Sequence, residues 1–520
     1  MSQPRGQVPV AVVGAGPAGA TAANLLGCYG VETLVIDRDR GIVDYPRAIG
    51  IDDESVRVLQ TAGLAGEIMA DAIQNVPLKF FGSSGRCFAS VQPSVREFGW
   101  YKRNIFLQPL AEAALRRGLG RFPHVQTWFG TELTGLDQGE DGVTLHLAGR
   151  DPVQARYVIA ADGGRSGIRH HLGITLDGDT QPRQWVVIDC AADPVDAPWT
   201  GLHCDPRRPY VSARLPYGHR RWEFMLHPGE DGESPAKVTE LLGYHLPDPA
   251  SAGVVRTRVY THHARLARTF VAGRVALAGD AAHLMPPWAG QGMNTGIRDA
   301  ANLAWKLAAI VRGQAGHGLL ASYDQERRPH AKAMIDLSVM LGRVLSPAHR
   351  PVALARDQLL RAASLVPGAA DWITQMRFKP RPRYRDGFFT VLMPAPCSSS
   401  RWWRTAVVSG CGSTRRWGTG SPSSATAAIR SPASIRQGGH WSNCSAPGWS
   451  RSSNHARVTP AATADAPACA SSRTPTISCA AGSRPGAGTS PCSGQTGMSP
   501  RSRHSGNSAR RWRTWNPTRV

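Results

Sequence analysis

The chain has 520 residues, 42% of them hydrophobic, and its 60 basic and 38 acidic side chains give a formal net charge of +22. This length suffices for about three domains, and the lack of any apolar run of about 18 residues excludes a membrane-spanning helix. The charge is concentrated at one end, because residues 397–520 contain 16 Arg and one acid and so carry 15 of the 22 net charges. Residues 1–396 are only mildly basic, so we expect no nucleic-acid partner and no membrane partner for them.

The first predicted element is a short buried strand, VPVAVV, which leads into the glycine turn GAGPAG and an Ala-rich helix. In such a turn Gly14 permits the tight bend, Gly16 lets a pyrophosphate reach the backbone, and Gly19 lets the helix lie against the strand. The helix N-terminus then offers free N–H groups and its positive dipole end to the phosphates. A second strand, TLVID, ends at Asp37, whose carboxylate is placed to accept from ribose hydroxyls. The motif predicts a dinucleotide site but does not decide between NAD and FAD.

A second motif follows another apolar strand in the stretch RYVIAADGGRSGIRHHLGI. It has the form DGxxSxxR and contains Asp162, Gly163, Ser166 and Arg169. Asp162 is placed either to cap the following helix, which is a purely structural role, or to contact the dinucleotide. The residues alone leave both interpretations open.

The region from about Gln181 to Phe270 contains alternating segments such as QWVVIDCAAD and YVSARLPY. Alternation of apolar and polar residues is typical of strands with one buried face. We therefore predict an antiparallel sheet over this region.

A third motif begins with the strand GRVALAGD, which closes on Asp280, and continues through a proline-containing loop into a helix near Asn294. An acid at the carboxyl end of a strand suits a ribityl hydroxyl. Backbone N–H groups at a helix start suit the electron-rich pyrimidine edge of a flavin, because the helix dipole stabilises negative charge there. The small residues of this loop predict close approach of a flat ring system.

The cysteines indicate the cell compartment and the absence of a metal site, and the composition of the C-terminal segment indicates whether it packs. Four cysteines without metal-ligand spacing lie in residues 1–396, which suits a reducing cytoplasm and no metal site, and the N-terminus lacks a signal-peptide pattern. Residues 397–520 have no Leu, Phe, Tyr, Lys or Glu and no apolar periodicity, so we predict that they do not pack. Binding of nucleic acid through Arg and Trp, and an out-of-frame translation, are the alternatives for this segment.

Taken in order, these three motifs resemble those of the class A flavoprotein aromatic hydroxylases, which bind FAD. Further stretches, including DYPRAIGIDDES, EFGWYKRNIFLQP, RVYTHHARLA and YDQERRPHAKAMIDLS, resemble the 3-(3-hydroxyphenyl)propanoate hydroxylase branch of that family. The likeness reaches about Gly387 and then stops, so the thioredoxin-like C-terminal domain of that branch has no counterpart in the sequence that follows.

The resemblance implies a set of FAD contacts on matching motif positions. These are Gly14, Gly16, Gly19, Asp37, Arg38, Arg47, Gln108, Asp162, Gly163, Gly279, Asp280, Gly290, Gly292, Met293 and Asn294.

The resemblance also implies the reaction. NADH or NADPH reduces FAD, and one oxygen atom of O2 is inserted beside the phenol hydroxyl of 3-(3-hydroxyphenyl)propanoate to give the 2,3-dihydroxy product. Pro287 and Trp288 are expected to lie over the flavin ring, and Tyr260 or His262 to accept the phenol proton. An arginine is expected to hold the carboxylate of the small aromatic acid, and the predicted substrate contacts are Tyr210, Arg214, Arg221 and Phe224. The alternative is that these aromatic residues are core and these arginines solvated.

The predicted fold is α/β, a Rossmann-like FAD-binding domain with an inserted antiparallel β-sheet substrate domain. The FAD-binding domain is expected at 1–75, 100–180 and 270–345, and the substrate domain at 76–99 and 181–269. A helical segment at 346–396 and the unpacked tail at 397–520 complete the chain. We expect it to be cytoplasmic, and a homo-oligomer stays open. A hydroxylase of another phenol or of a polyketide ring, and a non-catalytic FAD-binding remnant, stay open as alternative functions.

Overall fold

The structure is a computed structural model that describes residues 6–347 and 349–388. Its strands are β1 (Val8–Val13), β2 (Thr33–Asp37), β3 (Gly50–Ile51), β4 (Ile73–Gln74), β5 (Leu78–Phe81), β6 (Cys87–Val91), β7 (Asn104–Ile105), β8 (Val125–Phe129), β9 (Leu133–Gln138), β10 (Val143–Leu147), β11 (Arg150–Ala160), β12 (Leu176–Cys190), β13 (Thr200–His203), β14 (Tyr210–Arg214), β15 (Arg220–Met225), β16 (Val254–Ala267), β17 (Val271–Ala272), β18 (Val275–Leu277) and β19 (His283–Leu284). Its helices are α1 (Pro17–Cys28), α2 (Asp53–Thr61), α3 (Ala65–Ala70), α4 (Gln108–Leu119), α5 (Gly167–His171), α6 (Pro235–Gly243), α7 (Gly292–Val311), α8 (Ala321–Leu345), α9 (Arg350–Leu365) and α10 (Pro367–Thr374).

The first sheet has a parallel centre in the order β18-β11-β1-β2-β8, with β9 and β10 attached to β11 as an antiparallel extension and β17 at the edge. Its central strands are continuous apolar runs, as expected when helices such as α1 and α7 cover a parallel sheet. The strands β1, β11 and β18 are neighbours and run the same way, so the residues that follow them meet at one edge. The predicted α/β fold is confirmed, and this edge carries all three sequence motifs.

The second sheet runs in the order β19-β16-β12-β15-β14-β13-β5-β6 and is antiparallel except where β5 pairs with β13. The predicted antiparallel sheet is thus present, and β5 and β6 extend it from earlier in the chain. One face, which we name the outer face, packs on α6 through residues such as Val186, Trp222 and Phe224. The opposite inner face carries Trp185 and Tyr260, and Trp185 contacts Trp288 beyond the sheet.

The third sheet is small, in the order β3-β7-β4. Helices α9 and α10 fall within the segment that the sequence predicts to be helical, whereas the predicted tail lies outside the described residues. The predicted domain limits stay a prediction. Within 6–347 and 349–388, no helix combines the length and apolarity that crossing a membrane requires.

Candidate functional site

The glycine turn after β1 has two crowded positions and one open position. Gly14 has φ +99°, and a Cβ there would lie 2.2 Å from the Ala161 carbonyl oxygen. A Cβ on Gly19 would lie 1.9 Å from the Gly14 oxygen, whereas a Cβ on Gly16 would meet nothing within 4 Å. Gly14 and Gly19 therefore allow strand and helix to pack, and Gly16 leaves space at the N-terminus of α1. That space is where the dinucleotide interpretation requires a pyrophosphate.

Asp37 ends β2 beside this turn. Its carboxylate accepts the Ala15 N–H at 2.6 Å and lies 3.4 Å from the Arg116 guanidinium. The carboxylate is thereby fixed at the edge of the turn, as a ribose acceptor must be. The Arg38 side chain is 75% exposed and lies 3.7 Å from the Asp39 carboxylate.

The second motif is anchored by Asp162 and Arg169. Asp162 Oδ2 accepts the Ile168 N–H at 3.2 Å, while its buried Oδ1 has no partner among the described residues. The N-cap of α5 is Ser166, which accepts from the Arg169 N–H at 2.9 Å, so Asp162 caps only in part. The Arg169 side chain donates to the Ala281 carbonyl at 3.1 Å and so ties this motif to the third one. The unpaired Oδ1 fits a hydrogen bond from a bound hydroxyl.

The third motif brings Asp280 and Arg47 together. Arg47 Nη2 is 3.9 Å from Asp280 Oδ2, and both side chains are partly exposed. Gln108 supports the Arg47 loop, because its side-chain oxygen accepts the Ala48 N–H at 2.6 Å. Two residues predicted separately from sequence, Arg47 and Asp280, thus flank one space.

A buried acid below the loop holds this motif in place. Asp299 accepts the Gly279 N–H at 3.1 Å, the His283 ring at 2.7 Å and the Arg327 guanidinium at 2.9 Å. Burial alone would raise the pKa of Asp299, but His283 and Arg327 outweigh it and lower the pKa to about 2. The ionised Asp299 positions Gly279 and therefore its neighbour Asp280.

Helix α7 starts directly beyond the loop. Gly290 has φ +61°, and the first backbone bond of the helix joins the Thr295 N–H to the Gln291 oxygen. The N–H groups of the residues before Thr295, from Gly292 to Asn294, point out of the helix start at its positive dipole end. The Asn294 side chain itself donates to the Gly290 oxygen at 2.8 Å and holds the loop, so it serves the backbone geometry. Met293 packs against the hydrophobic core with its side chain.

The inner face of the second sheet meets this loop at an aromatic cluster. The His262 ring lies 5.3 Å from Trp185 and 5.9 Å from Trp288, measured between centroids, and Pro287 and Trp288 form a short 3-10 turn. Both His262 nitrogens are buried without a partner among the described residues, and burial lowers the pKa of His262 to about 4. Tyr260 OH donates to Glu223 at 2.9 Å. A neutral imidazole, a tyrosine and two indoles therefore face one region beside the third motif.

Three of the four predicted substrate contacts lie on the outer face of the second sheet. Tyr210 pairs with Phe224, and both lie on the outer face, in a ring cluster that packs on α6. Arg214 pairs with Arg220 on that outer face as well. These three residues are therefore separated from His262 and Trp288 by the sheet itself. Alternation along a strand assigns its residues to the two faces of the sheet only once the pairing of the strands is known.

Arg221 does lie on the inner face, but four of its five N–H donors are engaged within the protein. Its guanidinium binds both oxygens of Asp189, at 2.7 and 3.0 Å, and the backbone oxygens of Pro46 and Arg47. It is 2% exposed. Arg221 is thus a link between the sheet and the Arg47 loop, and cannot act as a free carboxylate clamp.

Sequence reasoning missed several residues of this region. Asp189 and Trp185 alternate in QWVVIDC, so their shared face was readable, but no motif marks them. Glu223 and Asp299 matter only through partners distant in sequence, Tyr260 and Gly279, and no local signal shows that.

Comparison with known proteins adds independent findings. A family model described as FAD binding domain matches residues 7–338. The 3-(3-hydroxy-phenyl)propionate/3-hydroxycinnamic acid hydroxylase 2 of Burkholderia vietnamiensis (strain G4 / LMG 22486) is 55% identical over 390 residues, which cover 74% of this chain and 71% of the relative. A hydroxylase with the same description from Mycolicibacterium smegmatis (strain ATCC 700084 / mc(2)155) is 50% identical over 400 residues, or 76% of this chain and 71% of the relative.

Solved structures share the fold. The p-nitrophenol 4-monooxygenase PnpA of Pseudomonas putida DLL-E4 superimposes with a TM-score of 0.68 at 25% identity, covering 73% of this chain and 99% of that one. The flavin-dependent monooxygenase PieE, solved with FAD and substrate, has a TM-score of 0.64 at 27% identity and covers 74% of this chain and 76% of its own.

Proposed function

The chain belongs to the FAD binding domain family, among the class A flavoprotein aromatic hydroxylases, and we propose that it hydroxylates 3-(3-hydroxyphenyl)propanoate to 3-(2,3-dihydroxyphenyl)propanoate. The observation that carries this proposal is the identity of 55% over 390 residues to a relative described as acting on this acid and on 3-hydroxycinnamic acid. The role would lie in the catabolism of aromatic compounds.

The residues present fit FAD. Open space at Gly16 and the fixed Asp37 carboxylate would hold the adenosine diphosphate half. Asp162 with its unpaired oxygen, Asp280 and Arg47 would hold the ribityl and phosphate groups. When bound, FAD supplies the redox chemistry, which joins the oxidation of NAD(P)H to the transfer of one oxygen atom from O2.

The protein's own part is to place the phenol ring and prepare it for attack. Trp288 and Trp185 offer apolar surfaces that exclude water from the ring. The neutral His262 ring has unpaired nitrogens, one of which would accept a hydrogen bond from the phenol hydroxyl, and the polarised O–H bond makes the adjacent ring carbon more nucleophilic. Tyr260, whose hydroxyl hydrogen is donated to Glu223, would line the same space with its ring.

The full chain is tested by following NADH and NADPH oxidation with 3-(3-hydroxyphenyl)propanoate, unsubstituted phenol and a polycyclic phenol, with products identified by mass. We expect the propanoate to stimulate oxidation most and to yield its dihydroxy derivative. Preference for another phenol would overturn the substrate assignment. FAD binding without stimulation by any of them would identify a remnant.

The role of His262 has a matched control in its neighbour. His263 lies one residue further along β16 and its ring pairs with Thr180 at the surface. We expect His262→Ala to lower kcat about 100-fold or more, because general acid–base groups typically contribute that much, and His263→Ala to leave it near wild type. Equal effects of the two substitutions would refute the role, and the pH profile of kcat separates a lost proton acceptor from a packing defect.

A further inference from the structure

Strand β16 presents a row of four side chains on the inner face. Tyr260 pairs with Trp185, Arg258 with Val187 and Arg256 with Asp189, so these residues share one side of the sheet, and His262 continues the row. At one end His262 lies against Trp288. At the other end the Arg256 guanidinium lies 3.5 Å from the centre of the Tyr45 ring. Arg258 is placed between these two ends.

The arginines of this region differ in how many hydrogen bonds and ion pairs they already make within the protein. Arg221 is buried and donates four hydrogen bonds to Asp189 and two backbone oxygens, and Arg256 lies 3.5 Å from Asp189 and covers Tyr45. The Arg258 side chain, in contrast, is 66% exposed, and the carboxylate oxygen of its ion-pair partner Glu233 is 3.8 Å away. That oxygen already accepts the Val259 N–H at 2.9 Å. Arg258 thus keeps its hydrogen-bonding capacity for an incoming anion.

The charges on the inner face orient an anionic substrate. Glu223 lies on the same row of paired residues as Arg258, with Val187 between them, and accepts from Tyr260. A carboxylate placed deep in the site would face the buried Glu223–Arg221 pair, whose charged groups are 3.9 Å apart, whereas one placed at the edge strand would face the exposed Arg258. The acid end of a bound molecule is therefore favoured at the rim, and its ring at His262.

On the premise of the proposed function, we propose that Arg258 binds the carboxylate of the aromatic acid substrate and sets the preference for acids over neutral phenols. Four residues of strand, about 13 Å, separate Arg258 from His262, and the long arginine side chain shortens that span. A hydroxyphenyl ring with a three-carbon acid chain spans the remaining distance between the Arg258 guanidinium and the His262 ring. A guanidinium binds a carboxylate through two parallel hydrogen bonds, so position as well as affinity is fixed.

The test compares 3-(3-hydroxyphenyl)propanoate with its neutral amide in Arg258→Ala, Arg258→Lys and the control Arg268→Ala. Arg268 follows the end of β16, is 70% exposed and pairs with Asp177. We expect Arg258→Ala to raise KM for the acid roughly tenfold, which is the scale of one exposed charge-assisted pair, and to leave KM for the amide unchanged. Arg258→Lys should recover part of the acid preference, and Arg268→Ala should behave as wild type.

Two results would count against the proposal, and they are distinct. If the wild-type chain prefers acid over amide and Arg258→Ala keeps the same ratio of KM values, Arg258 does not bind the carboxylate. If the wild-type chain converts neither compound but converts another phenol, the proposed function fails and the substrate basis of this inference fails with it. Melting temperature and FAD content, measured for each variant, separate loss of selectivity from loss of fold.

Discussion

At the residue scale, the glycines of the GAGPAG turn differ in what surrounds them. Gly14 has a positive φ and a carbonyl oxygen where a side chain would begin, so its role is in the packing of the turn. Gly16 is the N-cap of α1 with φ −70°, an angle that any residue adopts, and it has open space in front of it. One motif therefore contains a residue needed for folding and a residue whose small size is useful only to a ligand.

This difference gives a paired prediction. Gly14→Ala should lower the melting temperature of the apoprotein, because the new methyl group meets the Ala161 oxygen at 2.2 Å in a backbone region that L residues rarely adopt. Gly16→Ala should leave the melting temperature near wild type and weaken FAD binding about tenfold or more, because its methyl group enters the phosphate space. Thermal unfolding and FAD fluorescence titration measure the two effects. Equal loss of stability in both variants would contradict the assignment.

Asp53 shows how one buried side chain makes stability depend on pH. Its Oδ2 is buried without a partner among the described residues. Burial, together with repulsion from Asp52 and Glu54, outweighs the opposing Lys379 charge and raises the pKa of Asp53 to about 7. In the unfolded chain the group ionises near pH 4. Between about pH 4 and 7 the folded state therefore holds a proton that the unfolded state has lost, and stability falls as pH rises.

Asp53→Asn should remove this dependence. We expect the gain in unfolding free energy of the variant over wild type to grow from pH 5 to pH 7 by about 1.4 kcal/mol for each pH unit, and to level off above pH 7. Urea unfolding at several pH values measures it, with Asp336→Asn as a surface control, since Asp336 is 60% exposed. A gain that does not vary with pH would show that Asp53 is ionised in the folded protein throughout.

At the element scale, β12, β15 and the Arg47 loop are joined by one buried pair. Arg221 binds Asp189 within the sheet and the backbone oxygens of Pro46 and Arg47 across from it. Arg47 in turn lies 3.9 Å from Asp280, so a chain of contacts links the second sheet to the third motif. The pair thereby transmits the position of the sheet to the candidate cofactor site.

We expect Arg221→Ala to destabilise the fold by about 3–5 kcal/mol, because it leaves the Asp189 carboxylate buried without its main partner. The double variant Asp189→Leu with Arg221→Met should recover most of that loss, since apolar residues of similar volume often replace a buried ion pair without cost. The double variant should still bind FAD more weakly than wild type, because the Pro46 and Arg47 oxygens lose their donor. Urea unfolding and FAD titration separate the two effects, and wild-type FAD affinity in the double variant would disprove the link.

The sequence predicts an element well when the residues that mark it lie within the element itself, and poorly when its position depends on residues distant in sequence. The strands VPVAVV and TLVID and the glycine turn were predicted correctly, because apolar runs and glycines mark them within a few residues. The faces of the second sheet were not, since assigning Arg214 and Tyr210 to the outer face needs the pairing of β14 with β15. Arg221 shows the limit most clearly, because an arginine seen in sequence does not reveal that Asp189 will neutralise it.

At the scale of the whole molecule, the match to the family model falls within the described residues. The family model ends at residue 338, and the likeness read from the sequence ends near Gly387. The last described stretch is tied down by buried contacts: Lys379 binds Asp52 and Glu54 at 2.7 Å each, and the Phe388 N–H binds Glu326 at 2.9 Å. These contacts anchor the last described stretch to the start of α2 and to α8.

Beyond this point the composition changes, with 16 Arg and no Leu, Phe or Tyr from residue 397 to the end. A segment without large apolar residues in a periodic pattern cannot bury enough surface to offset the entropy of ordering it. We therefore expect trypsin, which cleaves after arginine, to remove residues after about 396 quickly and to leave a resistant fragment that still binds FAD and melts at the temperature of the full chain. Mass spectrometry of the digest and FAD titration of the fragment test this. A resistant fragment from within 397–520, or loss of FAD binding on trimming, would show that this segment contributes to the fold.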